Sequence, residues 1–505
     1  MISNGKVEND ETKEVLHYGN RRNLYLITLC VSVAFMALGV SSGWPTPVLL
    51  KFRNNETNVD INKDEVTVMF SLYPVGFSTG SLATRYIADR LGRRATILGS
   101  AVPIVIGSVI VVFALKAWLL YITAFTWQCG TGMLSTVIGI YLSEVADKDI
   151  RGTLQLITGF TFKLGSLLAM VLGPLLSYNA LNLIMVALPV GFFLICWWIP
   201  ETPYFCLKKD NLEGARKSLR MLRKYKDEKI LEDELLALQA DVHNEMSHSS
   251  SFKELFTGPQ YRKAIVIAIG LKVAQIMTGG VLIRQYLSWI IAETELQMKM
   301  SLVLIIYGCI TFVVGLMSSA LVDRVGRRPL LIYSYIGTGV CLGAIAGYFF
   351  FQDVVHVDHA ILTTYSFIPL LSIILSNVIS TLGYNSLIHL VPAEIFPINV
   401  KAVAMTCLNI FGAAIAVIVA QGYQKVKDYC GLTTIFSIFT AFAIGGGIFS
   451  FFLVIETKGK KLSDIQAELQ GNAYKVVPVN DTMDVGQENV EDTELKELKP
   501  NDKNV

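Results

Sequence analysis

The chain has 505 residues, of which 52% are hydrophobic and 17% are charged. Soluble proteins usually have about a quarter of their residues charged, so the composition excludes an ordinary soluble domain and indicates a membrane protein. The 43 basic and 41 acidic residues give a formal net charge of +2. This near-neutral balance gives no reason to expect nucleic acid as a partner.

Twelve apolar stretches follow one another along the chain. A helix needs roughly 20 apolar residues to cross a bilayer, and each stretch is close to that length. We therefore predict an all-α membrane protein with twelve transmembrane helices, which we number spans 1 to 12. Their approximate bounds are Tyr25 to Val40, Val66 to Ile87, Ala95 to Leu115, Leu119 to Tyr141, Leu154 to Leu176, Leu183 to Ile199, Ala264 to Ile290, Leu302 to Leu321, Leu330 to Phe351, Ile361 to Leu390, Ala402 to Tyr423 and Thr433 to Ile455.

The more polar segments divide the chain into five parts. Residues 23–200 form a first six-helix half and residues 264–455 form a second. The loop at 201–263 between them has leucines at helical spacing, so it is predicted to be helical and cytoplasmic. The tails at 1–22 and 456–505 are predicted to be cytoplasmic, and the second is expected to be largely disordered because it combines scattered acids with little apolar content.

The orientation follows from the basic residues of the loops. Lys and Arg are more numerous on one side of the membrane, and the loop at 201–263 adds to that side, so both termini are expected in the cytoplasm. The first tail has no apolar core, so no cleavable signal peptide is predicted. In this topology the sequon Asn55-Glu56-Thr57 lies in the first outer loop, and Asn55 is a candidate glycosylation site. The expected location is the plasma membrane.

The sequence offers little support for catalysis or metal binding. Most of the eight cysteines lie inside apolar spans, and no C-x-x-C pair occurs, so neither a disulfide framework nor a metal site is expected. There is also no nucleophile–base pair or phosphate-binding loop. We therefore expect no enzyme, no cofactor and no obligatory protein partner, and the predicted partners are a small solute and the lipid bilayer.

The two halves repeat three charged motifs in the same order. Ala88-Asp89-Arg90-Leu91-Gly92-Arg93-Arg94 follows span 2, and Val322-Asp323-Arg324-Val325-Gly326-Arg327-Arg328 follows span 8. A glutamate stands seven residues before a basic residue after spans 4 and 10, and a Glu-Thr pair closes spans 6 and 12. The repeated charges are Asp89, Arg93, Glu144, Arg151 and Glu201 in the first half, and Asp323, Arg327, Glu394, Lys401 and Glu456 in the second.

We interpret these ten charges as a gating network on the inner face. Acids and bases at neighbouring helix ends form ion pairs, and glycine permits a tight turn between two helices. Such a network would hold the cytoplasmic side closed and break when the protein opens inward. For a single Gly-Arg-Arg the alternative is the positive-inside bias of cytoplasmic loops, but three repeated pairs favour a network.

These motifs, with Pro200-Glu201-Thr202-Pro203 and Glu456-Thr457-Lys458-Gly459, resemble those of the sugar porter family of the major facilitator superfamily. The stretch Gly43-Trp44-Pro45-Thr46-Pro47 is similar to the insect facilitated trehalose and hexose transporters of that family. The resemblance covers most of the chain and implies two pseudo-symmetric six-helix halves. It also implies alternating access, in which the halves rock about a site at the midplane of the membrane.

The resemblance further implies that polar side chains in the spans hydrogen-bond a sugar. The Q-Q-L-S-G-I-N motif of span 7 appears as Gln275-Ile276-Met277-Thr278-Gly279-Gly280-Val281, and Gln285-Tyr286 replaces the paired aromatics that follow it. In span 10 the corresponding residues are Gly383-Tyr384-Asn385-Ser386 and His389, and in span 11 the Asn-Trp pair becomes Gly412-Ala413. The usual hexose-binding set is thus incomplete. The expected substrate-binding residues are Gln275, Thr278, Gln285, Tyr286, Asn385 and His389.

Three cations lie inside apolar spans: Lys163 in span 5, and Lys272 and Arg284 in span 7. A charge at the bilayer centre costs roughly 3 kcal/mol, and no span carries an interior Asp or Glu to pair with it. One interpretation is that an anionic group of the solute is the partner, which adds Lys163 to the candidate substrate-binding residues. The other is that Lys272 and Arg284 reach water at the inner and outer faces. His389 likewise has an alternative as a packed, hydrogen-bonded residue.

The predicted function is a uniporter for a sugar such as glucose, another hexose or trehalose. Proton-coupled members of the family that the chain resembles carry an Asp in span 1, whereas Val31 to Val40 contains no ionisable side chain. Facilitated diffusion without an ion is therefore expected. Two alternatives remain open, namely an organic-anion carrier of the same fold and a sugar sensor that binds without transport.

Overall fold

The computed structural model describes residues 22–146, 150–223, 228–247, 255, 258, 261–460, 464–465 and 468–469. Every regular element in these residues is a helix, and one isolated backbone bridge joins Asp60 to Lys116. Most of the tails predicted at 1–22 and 456–505 lies outside the described residues, as do the side chains of Arg151 and Asp323.

Several spans consist of consecutive helices. The bounds are Arg22–Gly43 with Pro45–Arg53 (span 1), Lys63–Leu91 (span 2), Arg93–Phe113 (span 3), Ala117–Val145 (span 4), Arg151–Leu172 (span 5), Tyr178–Cys196 (span 6), Arg262–Met277 with Gly280–Gln285 and Leu287–Ala292 (span 7), Met300–Val325 (span 8), Arg327–Asp353 (span 9), His359–Tyr365 with Phe367–Leu382 and Tyr384–Ile395 (span 10), and Ile398–Leu453 (spans 11 and 12). The loop between the halves contains Pro203–Lys208, Leu212–Arg223 and Glu228–Ser247.

Hydropathy and backbone geometry together give twelve spans. Within the described residues, ten helical stretches are long and apolar enough to cross a membrane. One of them, Val403–Leu453, contains two spans because Gly431 has non-helical backbone angles in its middle. Ala117–Val145 supplies the remaining span, since its 29 residues exceed the length that a bilayer requires. The predicted twelve-helix all-α membrane fold is confirmed.

Glycines let particular helices of the first half approach closely. A Cβ atom at Gly39 of span 1 would overlap the carbonyl oxygen of Phe162 in span 5. A Cβ at Gly80 of span 2 would likewise overlap the carbonyl of Cys129 in span 4. Small residues of this kind promote helix packing in membranes, where backbone contact replaces the hydrophobic effect. These contacts tie spans 1 and 2 to spans 5 and 4.

Spans 7 and 10 are broken within the membrane. Gly279 has φ +70° and separates the first two helices of span 7. Gly383 separates two helices of span 10, and the backbone N–H of Tyr384 donates to Ser334 Oγ at 3.1 Å. Broken helices are tolerated at membrane depth where they line a cavity or find protein partners. The two breaks therefore mark where a site between the spans can form.

We predict that Gly431→Ala lowers the free energy of unfolding by about 1–3 kcal/mol, because φ +77° and ψ 174° are almost restricted to glycine. The loss comes from the backbone alone, since a Cβ at residue 431 would make only an ordinary contact with Asp353. Gly422→Ala is the matched control. Its Cβ would meet no atom within 4 Å in a regular helix, so the variant should be neutral or slightly stabilised. Thermal unfolding in detergent checks both variants, and equal melting temperatures would contradict the account.

Candidate transport site and inner charge network

The C-terminal ends of spans 2 and 8 turn through the same backbone geometry. We call this side of the molecule inner and the opposite side outer, after the orientation that the sequence predicts. Gly92 and Gly326 both have φ +102°, with ψ 164° and 163°. A Cβ at Gly92 would collide with the Glu201 carboxylate, and one at Gly326 would lie 3.0 Å from Glu456 Oε2. The glycines therefore serve two purposes, because they allow the left-handed turn and leave room for an incoming carboxylate.

Each of these carboxylates caps the helix that follows the glycine. Glu201 Oε1 accepts the backbone N–H groups of Arg93 and Arg94 at 2.9 and 3.1 Å. Glu456 accepts those of Arg327 and Arg328 at 3.0 and 3.1 Å. The first N–H groups of a helix lack partners within the helix and carry a partial positive charge, so a carboxylate there is stabilising.

The same arginines form ion pairs with the helix that ends beside them. Arg93 Nη2 lies 2.8 Å from Glu144 Oε1, and Arg93 Nε also donates to that carboxylate at 3.0 Å. Arg327 Nη2 and Nε contact Glu394 Oε1 at 3.0 and 3.3 Å. Two parallel contacts from one guanidinium are the strong form of this interaction. Both pairs lie within one half of the molecule, joining spans 3 and 4 or spans 9 and 10.

The other predicted charges are less completely engaged. Asp89 contacts Arg93 Nη1 at 3.3 Å and Lys208 Nζ at 3.1 Å. The side chain of Lys401 is half-buried, and it has no ion pair within the described part of the chain. The remaining two, Arg151 and Asp323, have side chains outside that part.

Burial and hydrogen bonds act in opposite directions on Glu456, which lies beyond the last span. Burial raises the pKa of its carboxyl. The backbone N–H groups of Lys458, Arg327, Arg328 and Thr457 lower it, and the pKa ends below its ordinary value. Glu456 is therefore an anion at neutral pH, as its capping role requires.

The sequence prediction missed two threonines in this network. Thr202 Oγ1 donates to Glu144 Oε2 at 2.6 Å, and Thr457 Oγ1 donates to Glu394 Oε2 at 2.5 Å. Each threonine follows the capping glutamate directly, so the repeated Glu-Thr pair was the available signal. The second oxygen of each half-buried carboxylate is thereby satisfied.

Three of the predicted binding residues meet at the breaks in spans 7 and 10. Gln275 Nε2 donates to Asn385 Oδ1 at 3.2 Å. Thr278 lies beside them, 3.2 Å from the hydroxyl of Tyr384, whose ring stacks on Tyr335 with centroids 4.3 Å apart. Tyr384 was not among the predicted binding residues. Amide and hydroxyl groups held in this way present the donors and acceptors that a hydroxylated solute needs.

Two other predicted residues, Gln285 and Tyr286, lie in a contact between the halves. Both are buried. The hydroxyl of Tyr286 is 3.2 Å from Thr67 of span 2, and its ring stacks on Tyr423 of span 11 at 4.7 Å. In this conformation their polar groups are thus buried at the outer ends of spans 2 and 7. They are separate from the cluster of Gln275, Thr278, Tyr384 and Asn385, which we call the amide cluster.

Backbone contacts close the same outer region. Thr46 Oγ1 donates to the carbonyl of Arg284 at 2.9 Å, and Trp289 Nε1 donates to the carbonyl of Leu49 at 2.9 Å. Ser288 Oγ donates to the Thr46 carbonyl at 3.2 Å. The Gly-Trp-Pro-Thr-Pro stretch, where the two helices of span 1 meet, therefore packs against span 7, and the outer ends of the halves are held together.

The intramembrane cations have different surroundings. Lys163 Nζ donates to the carbonyl of Gly315 in span 8, so this cation has a partner from the other half. Lys272 lies across Gly412 of span 11, and His389 of span 10 is exposed. Arg284 has a half-buried side chain at the outer contact.

Comparison with known proteins defines the class. Residues 21–469 match the family model described as "Sugar (and other) transporter", so the chain belongs to that family and the predicted resemblance is confirmed. Among its relatives is a facilitated trehalose transporter, Tret1, of Bombyx mori, which is 28% identical over 93% of this chain and 92% of the relative. Trehalose transporter 1 of Drosophila melanogaster is 27% identical over 90% of this chain, which spans about half (52%) of that relative's length.

Solved structures agree on the fold. The inward-open xylose transporter XylE of E. coli superposes with a TM-score of 0.71 at 17% sequence identity, covering 88% of this chain and 99% of XylE. The partially occluded inward-open form gives a TM-score of 0.68 at 18% identity. The chain is thus a multi-pass membrane protein with the fold of this superfamily and, as a member of a transporter family, not an enzyme.

We predict that Thr202→Val and Thr457→Val each lower the free energy of unfolding by about 1.5–3 kcal/mol, because each removes a hydroxyl that donates a hydrogen bond to a carboxylate of the charge network. Thr79→Val is the matched control, since its exposed hydroxyl only bonds the Val75 carbonyl of its own helix. The control should change stability by less than about 0.5 kcal/mol. Thermal melting in detergent measures all three, and a loss in the control as large as in the other two would refute the assignment.

Proposed function

We propose that the protein is a facilitative uniporter for a sugar, such as glucose, another hexose or trehalose. The observation that carries the proposal is the cluster of Gln275, Thr278, Tyr384 and Asn385 at the breaks of spans 7 and 10. Groups of this kind recognise sugar hydroxyls by directed hydrogen bonds. Discontinuous helices near the membrane midplane are a usual setting for transporter binding sites.

Alternating access accounts for the outer contacts. In this conformation Tyr286, Thr46 and Trp289 join the outer ends of the halves. Loading of solute from outside requires these contacts to separate, and Gln285 and Tyr286 would then turn toward the solute. We propose that both residues join the halves in this conformation and contact the solute once the outer ends have separated.

The charge network is proposed to act as the inner gate. Its ion pairs keep spans 3 and 4, and spans 9 and 10, together as units, so that each half moves as one body. The remaining part of the proposal is that the inner ends of the two halves also meet through these charges when the cytoplasmic side closes. Lys401, which has no ion pair within the described residues, is a member that can make such a contact.

Transport without a coupled ion is supported by the sequence. The interiors of the twelve predicted spans contain no Asp or Glu that could carry a proton. Facilitated diffusion down the sugar gradient needs no such group. The solute alone would then shift the protein between its conformations.

We also propose a plasma-membrane location with both termini in the cytoplasm. Asn55 is exposed in the loop between spans 1 and 2 and has φ +56°. Its side chain is accessible to the glycosylation machinery if that loop is extracellular. The proposed glycan on Asn55 and the inner charge network then lie on opposite sides of the membrane.

We predict saturable uptake of radiolabelled glucose or trehalose into liposomes that contain the purified protein. Gln275→Leu should reduce uptake at low sugar concentration about tenfold or more, because it removes a hydrogen-bonding amide from the site. Gln352→Leu is the matched control, as this amide lies at the outer end of span 9 and bonds the Glu293 carbonyl. Binding without flux would identify a sensor, and absence of both would refute the sugar assignment.

A further inference from the structure

Two basic side chains lie one helical turn below the amide cluster, on its cytoplasmic side. Span 7 runs outward from Arg262 and span 10 runs inward from His359, so the two helices are antiparallel. Lys272 precedes Gln275 by three residues, and His389 follows Asn385 by four. Residues at these separations share a helix face. The Gln275–Asn385 hydrogen bond therefore places Lys272 and His389 on the same side of the cluster.

A glycine on span 11 makes room for the lysine. A Cβ at Gly412 would collide with Lys272 Cε and lie 3.3 Å from Lys272 Cγ. The side chain of Lys272 thus occupies the space that any larger residue at position 412 would fill. Spans 7 and 11 together therefore fix the position of the Lys272 side chain.

Neither basic group is neutralised by the protein. Within the described residues, the side chains of Lys272 and His389 have no hydrogen bond and no ion pair. Lys163 differs, because the Gly315 carbonyl accepts from its ammonium. A cation at membrane depth is costly unless a cavity or a partner solvates it, and the imidazole of His389 is exposed. The pair is therefore open to an anion from outside the protein.

We infer that this transporter takes an acidic sugar, with its hydroxyls on Gln275 and Asn385 and its carboxylate on Lys272 and His389. The inference rests on the proposed function and specifies its substrate class. One helical turn is about 5.4 Å, which is comparable to the distance from the far edge of a pyranose ring to its exocyclic carbon. A hexuronate therefore spans the amide and basic groups at once, whereas glucose presents only a hydroxymethyl group to the basic pair.

The test compares D-glucuronate with D-glucose, which differ only in the oxidation of the exocyclic carbon. In proteoliposomes at pH 7, the first measurement is the uptake of labelled glucuronate. The second is the concentration of unlabelled glucuronate, or of unlabelled glucose, that halves the uptake of labelled glucose. Wild-type protein should carry glucuronate, and the half-inhibitory concentration of unlabelled glucuronate should be lower than that of unlabelled glucose. In Lys272→Met, which keeps the length of the side chain without its charge, the preference for glucuronate over glucose should fall about tenfold or more.

Two further variants separate the site from general effects. Gly412→Ser should lower the same preference because its side chain displaces Lys272. Lys116→Met, in the outer loop between spans 3 and 4, should keep the wild-type preference. The inference is overturned if glucose is transported and glucuronate is neither carried nor preferred, or if Lys272→Met keeps the wild-type preference. Absence of flux for both sugars would instead refute the proposed function.

Discussion

A single arrangement organises both halves of the molecule, namely a glycine with positive φ followed by a helix whose first N–H groups bind a distant carboxylate. Gly92 with Glu201 and Gly326 with Glu456 show the same backbone angles and the same two hydrogen bonds. The carboxylate comes from the end of the last span of each half, so the contact joins the third span to the sixth. Because a side chain on the glycine would displace the carboxylate, the turn and the ion network depend on one another.

This arrangement distinguishes the contacts that hold each half together from the contacts that must break when the halves move apart. Bidentate pairs such as Arg93–Glu144 stay within a half, whereas Thr67–Tyr286 and Thr46–Arg284 join the two halves through single hydrogen bonds. The contacts of the charge network within a half are ion pairs, whereas the named contacts between the outer ends of the halves are hydrogen bonds to hydroxyl and backbone carbonyl groups. A transporter that exposes its site to alternate sides requires this difference. The broken helices of spans 7 and 10 bring the polar cluster together within the second half.

The sequence predicts the fold well, because hydropathy and the repeated motifs are local properties. It also predicts Gln275, Thr278 and Asn385 as members of one substrate-binding set through the family resemblance. It does not predict Tyr384, whose role depends on the break at Gly383, or the burial of Gln285 and Tyr286, which depends on the conformation. The sequence also could not predict the partner of Lys163, since a backbone carbonyl on another helix has no sequence signature. Thr202 and Thr457 were visible as a repeat, but only the structure gives the repeat a chemical purpose.

The central claim is that two rigid halves move against each other, and distances between spin labels test it most directly. Cysteines at Arg90 and Arg324 would place labels at the inner ends of spans 2 and 8, across the two halves. Cysteines at Arg90 and at Trp198, which is exposed just after span 6, would place them within the first half. On addition of a transported sugar in lipid, the first distance should change and the second should stay constant. Arg93→Ala should broaden the second distance and shift the first toward the inward-open value. A change within the half as large as the change between halves would contradict the account.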